Sequence, residues 1–495
     1  MKKPDYSWQQ RCTDKILTTL ATGGRDFAVD VTPRAGKTKM AVQTAAAMFD
    51  NASIALAVVV VPNEVVRGQF AAELEAGGIP AFTVLDGRDF ANLRLLGPGD
   101  MKAIVLTTGM LARVQHELER LLSRYRTLFI ADEVHHMAIS MTWGDALVKA
   151  SSGAVFRIGL SGTVYRQDNN AIAFLRYENG ESVPSFRFTH DDALKARLVP
   201  ALSFRTVGGF ITLLDTQVSK EPVRYSFDDG DYGGGNEPLE RRRMSYMLSI
   251  KSPFIGKMLR EADKELAAIQ ASHPAAAGIV YAHGIKQAER IATYLRETRK
   301  RKVRLVVDDA SAEAEVAAFN ESSEDWIVQI RKVYEGSTIS RLRVGCYLTK
   351  VMTPGFMDQA FKRTCTLVPE LALEEQTAII FIADDDRLVE IAKGLGEVRP
   401  HVIVKEDDPE VVTDGWPPTD DDDDDRDVFD DDTVHVFEIL DSDVGLRRAI
   451  VGKVVFTAEQ VAEAEAYFDA KPEAASWTTS QKMEVWALLK SEKFV

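Results

Sequence analysis

Val31-Thr32-Pro33-Arg34-Ala35-Gly36-Lys37-Thr38 is the stretch that decides the reading of this 495-residue chain. It follows the apolar run DFAVDV (26–31) and precedes a stretch, Lys37–Met48, with a helical pattern. A tight turn between a buried strand and a helix makes a phosphate cradle. Backbone N–H groups and the helix N-terminus face the anion, the lysine reaches the terminal phosphates, and the hydroxyl after it binds Mg2+. Arg34, Ala35, Gly36, Lys37 and Thr38 are therefore expected to hold a nucleotide, with ATP and Mg2+ as ligands.

A second stretch supports the first. Leu128-Phe129-Ile130-Ala131-Asp132-Glu133-Val134-His135-His136 is an apolar strand ending in two adjacent carboxylates. Beside a phosphate cradle, the first carboxylate holds the metal. The second is placed to orient or deprotonate water. Asp132 and Thr38 are thus the expected metal ligands, and Glu133 and Lys37 the expected catalytic residues. The His-His pair has no matching ligand cluster, which argues against zinc.

Around these stretches the pattern is α/β. Strands are expected at Phe27–Val31, Ile54–Val61, Ala103–Leu106, Thr127–Ala131 and Phe156–Leu160, with helices such as Lys37–Met48 and Glu64–Glu75 between them. A less regular region, 201–249, reads as a linker or insertion. A second alternation occupies 250–405, with strands at Ala277–Tyr281, Val303–Val307, Trp326–Ile330, Leu342–Leu348 and Thr377–Ile382 and a helix over Ile285–Glu297. Residues 406–432 carry an Asp run that self-repels and cannot form a core. Residues 433–495 read as a small C-terminal module. Its short strands are expected at Val434–Leu440 and Ala449–Phe456, followed by a helix opened by a Thr457/Gln460 capping box.

Charge and composition bound the function. The net charge is −15 and 45% of residues are hydrophobic. Residues 406–495 hold 25 acidic and 8 basic residues, so the remaining chain is close to neutral and free to carry a basic groove. Three unclustered cysteines suggest neither a disulfide framework nor a zinc site. No signal peptide or membrane span is expected, which implies a cytoplasmic protein.

These elements resemble the superfamily-2 helicases of the DEAD/DEAH group, in the type III restriction (ResIII-like) branch of bacteria and their phages. GKT matches that family's Walker A box and DExH its Walker B box. Tyr6-Ser7-Trp8-Gln9 is similar to the upstream glutamine element, which implies that Gln9 reads adenine, with Gln10 as the fallback. Val60-Val61-Pro62-Asn63 with Gln69 resembles motif Ia, Leu106-Thr107-Thr108-Gly109 the threonine motif, and Gly159-Leu160-Ser161-Gly162-Thr163 motif III. Gly278–Ala282 resembles motif IV. Val333-Tyr334-Glu335-Gly336 with Arg341–Gly345 resembles motif V, and Thr353–Phe356 leading to Gln359–Arg363 resembles motif VI.

The resemblance covers roughly residues 5–395. It implies two tandem RecA-like parallel-sheet lobes with ATP in the cleft between them, and a helicase or translocase that tracks single-stranded nucleic acid, DNA in this branch. By that resemblance Pro62, Thr107, Thr108 and Gly284 contact nucleic acid, Gly336 contacts the nucleotide, and Gln359 and Arg363 act in catalysis. The acidic tail or the C-terminal module would serve a protein partner.

The sequence departs from the family at four places. Arg34 stands where a glycine is usual, Thr338 where motif V has aspartate, Lys362 where motif VI has glycine, and Thr366 where it has its last arginine. The alternative is therefore a weak or inactive, nucleotide-gated DNA-binding subunit. Several other features have two readings. Glu240–Arg243 is a phosphate contact or a solvated face. Lys300-Arg301-Lys302 reads as a helix end near its negative pole. For Trp143 the reading favours core packing over base stacking, and for the Asp run a spacer over a nucleic-acid mimic.

Overall fold

The computed structural model describes residues 4–86, 89, 101–139, 141–162, 170–215, 221–226, 246–249, 251–307, 311–330, 339–351, 354–368, 371, 376–394 and 437–471, with single positions up to 486. Gly336, Thr338, Thr163, the 240–243 cluster and the acidic segment 406–432 lie outside the described residues. Those described form two compact units, one within Met1–Val199 and one within Pro200–Val333, Thr338–Leu395 and Asp420–Val495.

The first unit comprises α1 (Ser7–Ala21), β1 (Asp26–Val31), α2 (Lys37–Asp50), β2 (Leu56–Val61), α3 (Glu64–Ala76), β3 (Ala81–Thr83) and β4 (Ala103–Thr107). It continues with α4 (Thr108–Leu122), β5 (Thr127–Ala131), α5 (Thr142–Ala150), β6 (Phe156–Ser161), β7 (Arg176–Glu178), β8 (Glu181–Val183), β9 (Phe186–Phe188) and α6 (His190–Lys195). Seven strands form one sheet in the order β3-β4-β2-β5-β6-β1-β9, and every pairing is parallel.

All six residues of β2 and all five of β5 are buried. Continuous apolar runs of this kind belong to strands covered on both faces, which is how a parallel sheet is built. On α4 the buried positions Leu111, Val114, Leu118 and Leu122 recur at helical spacing. They pack with Ala146, Leu147 and Ala150 of α5 over the sheet.

The second unit comprises β10 (Ala201–Asp215), β11 (Val223–Ser226), α7 (Pro253–Ser272), β12 (Ala277–Ala282), α8 (Ile285–Glu297), β13 (Val303–Val306), α9 (Ala312–Asn320), β14 (Trp326–Ile330) and β15 (Leu342–Leu348). It ends with α10 (Pro354–Lys362), β16 (Thr377–Ala383), α11 (Asp386–Lys393), β17 (Phe437–Val451), β18 (Val454–Thr457) and α12 (Ala458–Asp469). The sheet runs β13-β14-β12-β15-β16-β10-β17-β18, with β11 also on β10. The strands from β13 to β10 are parallel, whereas β11, β17 and β18 are antiparallel to their neighbours. The chain is thus α/β, with a sheet in each unit, and the second sheet is mixed.

Three expectations change. The stretch expected as a linker begins with β10, whose residues Ala201–Val207 pair in parallel with β16 while Ser203–Asp215 pair with β17. Gly208-Gly209 made this segment look irregular, yet the glycines are what let the strand continue. A Cβ on Gly208 would lie 2.4 Å from Asp384 Cβ, and one on Gly209 (φ +121°) would lie 1.8 Å from the Asp443 carbonyl oxygen. Only glycine admits that approach.

The residues expected as a separate C-terminal module open with β17, an integral strand of the second sheet. The second short strand expected there is a turn at Gly452 between β17 and β18. Helix α12 has the expected Thr457/Gln460 capping box, and its Ala464 and Phe468 pack on Ala449 and Phe456. Arg301, finally, does more than end a helix: its Nε lies 2.5 Å from Asp263 Oδ1, and Arg299 holds the other oxygen at 2.9 Å.

Deleting residues 437–495 strips a strand from β10 and opens a long edge to solvent and to other chains. The truncated protein is expected to melt at a lower temperature than the full chain, or to aggregate. Thermal unfolding checks this; equal melting temperatures would show β17 to be dispensable.

Candidate nucleotide-binding site

The site lies at the carboxyl edge of the first sheet, where ligands of open α/β sheets bind. β1 delivers the chain to the loop Thr32–Gly36, and α1 grips that loop from behind. Trp8 Nε1 donates to the Ala35 carbonyl (3.2 Å) and Gln9 Nε2 to the Gly36 carbonyl (3.0 Å). Trp8 stacks on Phe188 at 5.0 Å, and Thr13 of α1 bonds Thr44 of α2 at 2.9 Å. Gly36 takes φ +96°, which favours glycine, and a Cβ there would lie 2.6 Å from Gln9 Nε2 and displace that amide from the loop. Arg34 also sits in the left-handed region, at φ +71°. That is the conformation the family's usual glycine supplies without strain.

Helix α2 starts at Lys37 with no side-chain cap and no acidic residue in its first turn. Its leading amides are uncapped by side chains, and its positive end faces whatever occupies the loop. Lys37 Nζ lies 2.6 Å from Glu133 Oε1 and 3.1 Å from Asp132 Oδ1. β5 brings both carboxylates there: the Asp132 amide still bonds the Val60 carbonyl (2.8 Å), after which the chain turns sharply through Glu133 at φ +49°.

Glu133 also meets the end of β6. Its Oε2 accepts from the Gly162 amide (3.5 Å) and lies 3.4 Å from His135 Nδ1, which itself is 2.8 Å from Ser161 Oγ. His135 therefore ties the carboxylate strand to Ser161-Gly162. The sequence marks this histidine as the last residue of the DExH box, without its partner Ser161.

Charge is balanced inside this cluster. Burial disfavours the Lys37 cation, but Asp132 and Glu133 outweigh it and its pKa is raised. Burial pushes Glu133 up, yet Lys37, then His135 and His136, hold it down to about 2. For Asp132 burial wins over Lys37, and its pKa is raised. One buried cation thus supports two carboxylates unequally.

The other expected residues separate into groups. Gln9, not Gln10, faces the loop; Gln10 is exposed and pairs with Asp14 (2.8 Å) and Gln43 (2.6 Å). Pro62 and Thr108 come together, the Thr108 hydroxyl donating to the Pro62 carbonyl at 3.5 Å. Thr107 and Thr108 are buried at the start of α4, and nothing lies within 4 Å of a Cβ at Gly109.

In the second unit Gly284 caps α8 at a similarly open point. Gln359 lies on α10, and Arg363 is buried just beyond it. Lys362 pairs with Asp358 at 2.6 Å and is engaged locally. Trp143, expected in the core, is 51% exposed, because it occupies the first turn of α5, where the helix begins at the sheet's edge. Trp8, whose Nε1 holds the Ala35 carbonyl, has no role of its own assigned from the sequence. An aromatic beside the loop-facing glutamine was its available signal.

A buried strand, an uncapped helix carrying lysine and threonine, and a carboxylate pair on the next strand but one in the sheet form an arrangement of the P-loop kind. Residues 2–166 match the family described as the type III restriction enzyme res subunit. Over those residues the chain resembles the ResIII branch of superfamily-2 helicase-type proteins.

It is 28% identical over 411 residues to an uncharacterized protein of Mycobacterium tuberculosis, covering 81% of this chain and 64% of that one. It is 27% identical over 479 residues to one of Mycobacterium leprae, covering 94% and 76%. The chain thus spans about two-thirds of the length of the first relative. Among solved structures, it superposes on the ATP-dependent Type ISP restriction-modification enzyme LlaBIII bound to DNA (TM-score 0.52, 12% identity, 80% of this chain and 30% of that one). It also superposes on a fragment of a type I restriction enzyme HsdR subunit from Vibrio vulnificus (TM-score 0.52, 12% identity, 79% and 66%). At that identity the likeness concerns the fold.

Two outcomes follow from the charge and the strain. In Lys37→Met the carboxylates lose their cation, so one of them keeps its proton to higher pH. A group whose folded pKa exceeds its unfolded value contributes stability at low pH and loses it as pH rises. The variant is therefore expected to lose more stability than the native protein as pH rises above the ordinary carboxylate range; urea unfolding at acid and at neutral pH checks it. Arg34→Gly relieves the left-handed backbone and is expected to raise stability by up to about 1 kcal/mol, measurable by the same method.

Proposed function

We propose that the chain is a nucleic-acid-dependent ATPase that moves along DNA as a helicase or translocase. The observation that carries this reading is the contact of Lys37, at the head of α2, with Asp132 and Glu133. A lysine beside a helix N-terminus takes phosphate. Thr38 and Asp132 supply the hard oxygen donors that Mg2+ prefers, and these residues would hold it. Bound there, Mg2+ would neutralise charge on the phosphates.

Lys37 changes partners in this account. In the structure it neutralises Glu133 and makes it a weak base. A triphosphate in the loop competes for Lys37 and draws it away. Glu133 then loses the cation that holds its pKa down and becomes a better proton acceptor. Water attacks the terminal phosphorus, its proton passes to Glu133, the bond to the bridging oxygen breaks, and ADP and phosphate leave. We propose that Gln9 reads the adenine side of the nucleotide, and that Gly336 contacts the nucleotide while Gln359 and Arg363 act in catalysis, as the resemblance implies.

Pro62, Thr107, Thr108 and Gly284 would meet the nucleic-acid backbone, which makes binding weakly sequence-dependent. His135, hydrogen-bonded to Ser161 and 3.4 Å from Glu133, is the physical link through which strand binding would alter the base. DNA is chosen because the LlaBIII neighbour is bound to it. Among the described residues no helix is long and apolar enough to cross a membrane, and a cytoplasmic location fits this role. A second reading, a nucleotide-gated DNA-binding subunit that does not hydrolyse, is favoured by Thr366 at the usual arginine position and by Lys362 being held by Asp358.

Steady-state phosphate release with and without single-stranded DNA separates the two. Turnover is expected to be low but DNA-stimulated. It should fall at least about 100-fold in Glu133→Gln with nucleotide still bound, while Lys37→Ala loses nucleotide binding. Release no greater than that of Lys37→Ala would leave only the non-hydrolysing reading.

A further inference from the structure

Nine large hydrophobic side chains are exposed among the described residues, and three of them, Ile139, Met141 and Trp143, fall within five positions. Such clustering marks a contact surface, whereas single exposed residues need no explanation. The segment is held firmly. Ala138 bridges Ile172, the Ile139 amide bonds the Ala171 carbonyl at 2.8 Å, and the Met141 amide bonds the Ala138 carbonyl at 3.0 Å. A Cβ on Gly144 would lie 1.8 Å from the Ala138 oxygen, so the chain before α5 is pressed onto its first turn. Trp143 is a rigid, half-exposed indole face.

Its position identifies what it meets. In a parallel sheet every helix that follows a strand starts at the carboxyl edge. Trp143 in the first turn of α5 thus shares that edge with Thr108 at the head of α4 and with Glu133. α4 and α5 pack along each other. The first turn of α4 carries no acidic residue, and Arg113, one turn on, is exposed with no ion-pair partner among the described residues. A flat aromatic face at the same sheet edge as an uncompensated helix N-terminus, on a helix that also carries a free arginine, matches a ligand that is aromatic and anionic at once. The patch offers on the order of 300 Å², well short of the roughly 800 Å² per partner of a stable protein interface.

We infer that Trp143, flanked by Ile139 and Met141, is a stacking platform for a base of single-stranded nucleic acid whose backbone passes the head of α4. This rests on the nucleic-acid-dependent reading above and adds to it a base contact, reported to Glu133 through the short segment that joins them.

Anisotropy of dye-labelled oligo(dT), with oligo(U) and an abasic oligonucleotide of equal length, tests it on the full chain. Trp143→Ala is expected to weaken oligo(dT) binding about 5- to 100-fold, and Trp143→Phe much less. The abasic strand should bind native and variant alike. A similar loss with oligo(U) extends the platform to RNA, and a loss confined to oligo(dT) restricts it to DNA. Undiminished oligo(dT) binding by Trp143→Ala overturns the inference; if self-association is lost instead, the patch serves a second copy. Should the native protein bind none of the oligonucleotides, the nucleic-acid reading fails and the platform with it.

Discussion

One part-buried ammonium group, that of Lys37, is shared by two adjacent carboxylates, and the candidate site is organised around that contact. A lone buried charge costs several kcal/mol, so the three groups hold one another in place. The surrounding structure positions each. Helix α2 fixes the lysine, β5 the carboxylates, β6 the serine that orients His135, and α1 the loop carbonyls. None of these elements is adjacent in sequence to all the others, and only the parallel sheet brings their ends to one edge.

The same constraint explains why strain gathers here. Arg34, Gly36 and Glu133 all take positive φ, and two of the three carry side chains that disfavour it. Turning sharply at the ends of β1 and β5 is the only way to aim α2 and the carboxylates at a common point. Such strain persists where the environment over-determines it. Here the determinants are visible: Trp8 and Gln9 fix the loop, while Lys37, His135 and Gly162 fix Glu133.

The fold of both units was largely legible because buried parallel strands leave continuous apolar runs, and LAVVVV and TLFIA are hard to read otherwise. The loop and the carboxylate pair were legible because their chemistry dictates residue type and spacing. What escaped detection lacks such a signature. β10 hides behind Gly208-Gly209, whose purpose is the close approach of β17, some 230 residues away. β17 follows an acidic run that separates it in sequence, but not in hydrogen bonding, from the sheet it completes. Trp143 has an amphipathic pattern around it that points inward. Only its place in the first turn, past the edge of the sheet, leaves it exposed. The second role of His135 depends on Ser161, a pairing across two strands that spacing does not reveal.

In the proposed cycle Lys37 exchanges the carboxylates for phosphate. A crystal structure with Mn2+ and a non-hydrolysable ATP analogue reads this directly through the anomalous signal of the metal. The expected result is manganese between Thr38 and Asp132, with the Lys37 ammonium on the terminal phosphate and no longer on Glu133. Nucleotide bound elsewhere, with Lys37 still seated between the two carboxylates, would contradict it.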